Sequence, residues 1–147
     1  MNEVKTLICT GAGVIGGFIA AALGGWDLGL QTLLIFMAAD YITGLIVAGV
    51  FGRSKKTATG RITSGVCFKG LLKKGAILIY VLVGYRLDLL IGCEWVRNTV
   101  IIGFVCSEAI SITENLGLMG VPMPKYISKA IELLTEKAEK GAKSNGK

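Results

Sequence analysis

Few side chains in this sequence can do chemistry, and those few sit in apolar surroundings. Asp40 lies inside FMAADYITGLIV (residues 36–47), in a stretch that carries no other charge from Leu28 to Gly52. Thr43 and Gly44 follow it by about one helical turn. A glycine there removes bulk where a second helix or a cation can approach the carboxylate. Further along, Ser107, Glu108, Ser111, Glu114 and Asn115 fall within an arc of about 120° when laid out at about 100° per residue. Val105, Ala109, Ile112 and Leu116 occupy the far side, so this helix has a polar stripe on an otherwise apolar surface. Arg86 and Asp88 interrupt a third apolar stretch, and Arg86 is the natural partner for Asp40. An ionised carboxylate at the centre of a bilayer costs at least about 2.5–3.5 kcal/mol, so these acids must face protein or water, or be neutralised.

Other chemistry is excluded by what is missing. The chain has no histidine, and Cys9, Cys67, Cys93 and Cys106 form no CxxC pair. Neither a zinc site nor a Ser/His or Cys/His nucleophile can be assembled from these residues. There is no phosphate-binding GxxxxGK[ST] loop and no GxGxxG. No enzyme, cofactor or metal is expected.

The elements that must position these residues are membrane helices. The 147 residues are 52% hydrophobic and only 18% charged, with 21 glycines and a mean hydropathy of +0.64. A helix needs roughly 20 residues to cross a hydrocarbon core of about 30 Å. Four stretches come near that length, at about residues 6–25, 28–52, 75–96 and 98–119. The third is the weakest. Only 11 uncharged residues separate Lys74 from Arg86, so the chain has four spans, or three if that stretch stays outside. The first stretch is longer than the core of a cleaved signal peptide and reads as a retained span. It carries a row of small residues at Gly13, Gly17, Ala21 and Gly25. A second row runs through Ala12, Gly16, Ala20 and Gly24. Such rows let helix backbones approach closely, either against the second span or between subunits.

Charge orients the chain. Arg53, Lys55, Lys56, Arg61, Lys69, Lys73 and Lys74 lie between the second and third stretches with no acid among them. This basic loop is expected on the cytoplasmic side, in contact with anionic lipid. No aromatic residues are interleaved as a base-stacking surface requires, so nucleic acid is not the expected partner. The tail from residue 125 to 147 holds six lysines and three glutamates and is likewise expected in the cytoplasm. Trp26 and Trp95 then fall at the outer interface. Within the tail, ISKAIELLTEKAEK places Ile127, Ile131 and Leu134 on one face, and Pro122 and Pro124 set it off from the last span. It can lie on lipid, pack against neighbouring tails or bind a partner. GAKSNGK (residues 141–147) is expected to be disordered. The fold class is all-α and multi-pass, with a transmembrane part at 1–124 and an amphipathic tail at 125–147.

Three motifs carry a resemblance. DYITG, then SGVCFKGLLKK (Ser64 to Lys74), then SEAISITENLGLMGVPMPK (Ser107 to Lys125), in that order, resemble the holins of phages of Gram-positive bacteria, the group that includes the toxin-secretion holins of clostridia. The likeness covers roughly Phe36 to Glu136. It implies a small membrane protein that forms homo-oligomers in the host's cytoplasmic membrane. At a programmed time it opens lesions that release an endolysin or a large toxin. Two other classes fit the residues alone. One is a small ion or solute channel or transporter built on Asp40, Arg86 and Glu108. The other is a non-conducting scaffold whose tail holds a soluble partner.

Overall fold

The computed structural model describes residues 2–144, and every regular element among them is helical. The order is α1 (Asn2–Ala22), α2 (Leu28–Ile46) with a π-helical extension (Val47–Phe51), α3 (Ser64–Ile91), α4 (Val96–Leu118) and α5 (Lys125–Ser144). Three helices, Asn2–Ala22, Leu28–Phe51 and Val96–Leu118, are long and apolar enough to cross a membrane.

α3 differs from the expected third span. It begins at Ser64, after Thr63 in extended backbone, so the stretch Ser64–Lys74 forms its first turns and the non-helical basic loop shrinks to residues 52–63. Leu71, Leu72 and the three lysines Lys69, Lys73 and Lys74 are good helix formers, and the stretch holds no proline to break a helix. At 28 residues, or about 42 Å, α3 is the longest helix, yet its five charges hold its hydropathy down. It ends at Gly92 (φ 76), whose N–H bonds back to the Asp88 carbonyl. This left-handed residue is a common glycine stop for a helix.

α4 is the centre of the bundle, packing on α2, α3 and α5. The inner face of α2 runs Leu30, Leu33, Met37, Asp40, Gly44, Val47. That alternating three–four spacing keeps one stripe against a neighbouring helix. Leu30, Leu33, Met37, Val81, Ile101 and Val105 form the apolar core with Leu23. Val105 and Ala109, expected on the lipid side of α4, are therefore buried between helices. α3 and α4 meet most closely at Gly84, where a Cβ would lie 3.1 Å from the Arg97 Cα and 3.3 Å from its nitrogen.

The two ends of the chain behave differently. α1 stands apart from the bundle with no buried residue, and a Cβ at Gly13 or Gly17 would meet nothing within 4 Å. Ala21 is exposed as well. Packing of the small-residue rows against the second span does not occur within the chain. α5, in contrast, folds back. Gly120 (φ 90) and the segment holding Pro122 and Pro124 reverse the chain, and α5 then runs antiparallel along α4. Its far end reaches the start of α4, where Gly141 faces the Thr99 hydroxyl. Residues 141–144, expected to be disordered, complete α5; residues 145–147 lie outside the described residues.

The tight α3–α4 crossing yields a stability prediction. Gly84→Val should overpack against the Arg97 backbone and destabilise the bundle by about 1–3 kcal/mol, whereas Gly13→Ala should leave it unchanged. Thermal unfolding in detergent, followed by tryptophan fluorescence, checks both.

Candidate functional site: a buried charge cluster

The middle of the bundle holds three largely buried charged side chains. Asp40 on α2 is 6% exposed and Glu108 on α4 is 7% exposed. Each lies about 18 Å along its helix from the first residue. Lys74 of α3 reaches between them, with Nζ 2.8 Å from Asp40 Oδ2 and 2.5 Å from Glu108 Oε2. Asn115, two turns further along α4, donates from Nδ2 to Asp40 Oδ1 at 3.1 Å and to Thr43 Oγ1 at 3.0 Å. The Thr43 hydroxyl in turn donates to the Ala39 carbonyl at 2.8 Å. Gly44 makes room for this. A Cβ there would sit 3.7 Å from Asn115 Nδ2, and a larger side chain would push α4 away from the carboxylate. Ser111, half-buried, faces Asp40 from the same side of α4.

One ammonium for two carboxylates leaves a formal charge of −1 in the interior. Burying any of these ions alone would cost several kcal/mol, and their mutual attraction with good hydrogen bonds offsets that penalty. The arrangement therefore joins α2, α3 and α4 by a contact that loses its advantage once any one partner moves away.

Above the cluster, between α2 and α3 and floored by α4, lies a cavity of about 780 Å³. The loop 52–63 closes one end of it, and Lys74, Asp40 and Glu108 lie along its wall. Arg53 lies outside this cavity. Its Nη1 points to the Leu118 carbonyl at 3.5 Å, placing a cation at the C-terminal end of α4, where the helix dipole favours one.

A second polar knot holds the opposite end of the bundle. Arg97, buried at the start of α4, donates from its guanidinium to the Leu23 carbonyl, to the Gly25 carbonyl at 3.2 Å and to the Asp27 carboxylate. Asp88 of α3 accepts from the backbone N–H groups of Val96 and Arg97, each at 2.9 Å, and so caps α4 from a neighbouring helix. Asp27 caps α2 by accepting from the Leu30 N–H at 2.8 Å. Gly24 sits in left-handed backbone (φ 89) against Arg97, where a Cβ would lie 2.6 Å from Nε. The α1–α2 turn and the α3–α4 turn are thus tied together, and each carries one of the tryptophans. Partial burial opposes ionisation of Asp27, but the hydrogen bonds from Arg97 and from the Leu30 N–H outweigh it. Its carboxyl is held below the ordinary 3.8.

The candidate residues separate as follows. Asp40, Thr43, Gly44, Glu108, Ser111 and Asn115 come together. Arg86 is exposed, so the expected Asp40–Arg86 pair does not form; Lys74, three turns earlier, faces inward instead. Lys74 itself departs from the topology role expected for it. Ser107 and Glu114 are exposed, which splits the polar stripe of α4 into an inner half and an outer half. Lys55, Lys56, Arg61, Lys69 and Lys73 are exposed around the loop and the first turns of α3. The knot of Asp27, Asp88 and Arg97 was not anticipated. Its signals were a W-D-L turn with an aspartate at a helix start, and a lone arginine just after a G-C-E-W turn.

Comparison with known proteins adds the following. Residues 17–136 match the bacteriophage holin family. An uncharacterized protein of Clostridium perfringens (strain 13 / Type A) is 36% identical over 135 residues, covering 89% of this chain and 94% of its own. An uncharacterized 14.9 kDa protein in the nagH 3′ region of Clostridium perfringens is 34% identical over 139 residues, 93% of this chain and 99% of that one. An uncharacterized protein of Listeria monocytogenes is 35% identical over 129 residues, with coverages of 87% and 84%. No solved structure matches.

The Arg97 knot predicts a pH dependence outside the membrane interior. A carboxyl held below 3.8 stabilises the fold fully above its unfolded pKa and loses that contribution as pH falls through the lower folded value. Acid unfolding of Asp27→Asn should therefore be flatter between about pH 5 and pH 2 than that of the parent chain. Identical acid-unfolding curves would show that the knot carries no ionic component.

Proposed function

This chain belongs to the bacteriophage holin family, and from that premise we propose that it assembles with copies of itself in the bacterial cytoplasmic membrane. There it opens lesions through which a murein-degrading endolysin or a large protein toxin leaves the cell. The observation that carries the reading is the sharing of Lys74 by Asp40 and Glu108 at the centre of the bundle. In the closed state the cluster hides the ionic faces of α2, α3 and α4 from lipid. In the open state the same faces turn toward water, and the lesion is lined by groups that the closed bundle had paired.

Magnitudes favour a switch of this kind. Removing one partner from a buried ion pair costs about 3–5 kcal/mol. Moving one charge through 100 mV is worth about 2.3 kcal/mol. The two are of the same order, so a change in membrane voltage acting on a cluster of net charge −1 can shift the balance between paired and separated states.

The same arrangement supports a four-span topology. α3 packs along α4 and is long enough to cross with it, with Lys74 paired inside and Asp88 satisfied at the far end. Four crossings put the loop 52–63 and the start of α5 in the cytoplasm, in line with the positive charge of the loop. α1 is free of intramolecular packing, so its Gly13, Gly17 and Ala21 row is available to a neighbouring subunit. α5, docked along α4, turns lysines and glutamates outward. A charged face at that depth needs water or another charged face. In the assembled lesion, α5 is the natural lining.

Expression in a bacterium with and without a cytoplasmic murein hydrolase tests the class. Lysis should require both proteins. Lysis by the hydrolase alone, or selective and saturable leakage of small solutes only, would point to a different activity. Within the mechanism, Asp40→Asn should change the time of lysis by a clear interval at equal membrane levels, since it removes a charge from the cluster without preventing insertion. Glu108→Cys, placed in a background without the native cysteines, should react with a membrane-impermeant charged thiol reagent only after triggering.

A further inference from the structure

The 780 Å³ cavity has a wall composition that the charge cluster does not explain. Its mouth is ringed by Lys56 and Arg61 from the loop and by Lys69 and Lys73 from α3. Among the described residues none of the four is ion-paired; the salt bridges formed are those of Lys74, Arg97 and Lys140. Four cations converging on one opening repel one another unless an anion sits between them. Thr57, on the same wall, has a buried hydroxyl without any hydrogen-bond partner, the one such side-chain atom among the described residues. A buried hydroxyl without a partner costs roughly 1–3 kcal/mol, and a bound oxyanion would remove that cost.

The loop that presents these groups is held in shape. Ser54 N–H donates to the Gly60 carbonyl at 3.0 Å, and Gly60 N–H to the Thr57 carbonyl at 3.2 Å. Gly60 (φ 71) lies so close to the Gly52 carbonyl that a Cβ would stand 2.2 Å from it. Beside the Lys74 cluster the wall also carries apolar side chains, Leu45, Ile77, Tyr80 and Phe104. α2 and α3 touch each other little compared with their contacts to α4, and residues of both helices line the cavity, so it lies along the gap between them.

We propose that this cavity binds one anionic phospholipid of the cytoplasmic leaflet. The phosphate is held by Lys56, Arg61, Lys69, Lys73 and the Thr57 hydroxyl, and an acyl chain leaves through the gap between α2 and α3. A phosphate supplies both the charge that the mouth lacks and an acceptor for Thr57. The apolar part of the wall suits a chain, which a free phosphate does not have. A zwitterionic headgroup carries its own cation and so offsets less of the positive charge of the four side chains. The volume lies in the range of about 300–1,000 Å³ typical of small-molecule sites, enough for a headgroup and the upper part of a chain. The proposal stands apart from the holin assignment, since it uses only the cavity and its position at a membrane surface.

The test uses the full chain purified from nanodiscs that contain phosphatidylglycerol and phosphatidylcholine in equal amounts, with retained lipid counted by native mass spectrometry. One phosphatidylglycerol per subunit should remain bound, in preference to phosphatidylcholine. Lys69→Gln with Lys73→Gln should lower its retention about tenfold, a loss of about 1.4 kcal/mol. Thr57→Val, a nearly isosteric change, should lower retention several-fold without lowering the thermal unfolding midpoint, which keeps the test meaningful if the double variant folds poorly. Lys129→Gln with Lys137→Gln on α5 should have no effect. Equal retention of both lipids, or retention untouched by the cavity substitutions, would overturn the proposal. Displacement of the lipid by millimolar inorganic phosphate would also overturn it, because the site would then belong to a free anion.

Discussion

Hydrocarbon offers no water to an ionised side chain, so a charge deep on a membrane-crossing helix must find a partner inside the protein or reach water. Lys74 meets that constraint for two carboxylates at once, and much of the bundle follows from it. Its ammonium draws α3 against both α2 and α4 at mid-depth. Asn115 and Thr43 occupy the remaining lone pairs of Asp40, and Gly44 keeps the helices close enough for these contacts to form. At the other end Arg97 does the equivalent work with carbonyls and Asp27, while Asp88 receives the first amides of α4. Between the two knots lies an apolar core of a few leucines, valines and isoleucines plus Met37. It is small, and its shape is set largely by where the polar contacts pin the helices.

Much of this was legible in the sequence, and the limits are physical. The helical class, the spans of α2 and α4, and the matching family follow from long apolar runs and from the order of DYITG, the basic stretch and GVPMPK. Asp40, Glu108 and Asn115 stood out because charge and amide are expensive at those depths. The partner of Asp40 was not legible. Sequence spacing offers Arg86 and Lys74 as cations flanking the same uncharged stretch. Only the rotation of α3, set by Gly84 against α4, decides that Lys74 faces inward and Arg86 outward. The start of α3 was missed for a related reason, because lysines that read as a solvated loop are also good helix formers. The Arg97 knot depends on two turns meeting in space, which no local pattern encodes.

The two terminal helices carry the remaining tension. α1 is apolar and unpacked, with small residues along one side, which suits contact with another copy in lipid. α5 is the reverse: strongly amphipathic, half of it charged or polar, and laid along a membrane-crossing neighbour. Lipid on its outer face would strand several charges. An arrangement in which α1 lies toward lipid or a neighbouring subunit and α5 toward water resolves both demands and agrees with assembly into a lesion. On the proposed reading, the bundle of α2, α3 and α4 is the part that must yield for a lesion to form.

The central claim is that the lysine shared by two carboxylates keeps the bundle closed. Release of a trapped fluorescent dextran from liposomes containing purified protein tests it directly, comparing the parent chain with Lys74→Met and with the neutral triple variant Asp40→Asn, Lys74→Met, Glu108→Gln. Lys74→Met leaves two carboxylates facing each other and should release dextran at once, whereas the triple variant, with no buried charge to strand, should be as tight as the parent or tighter. Lys74→Met liposomes as tight as those of the parent, or a triple variant as leaky as Lys74→Met, would contradict it.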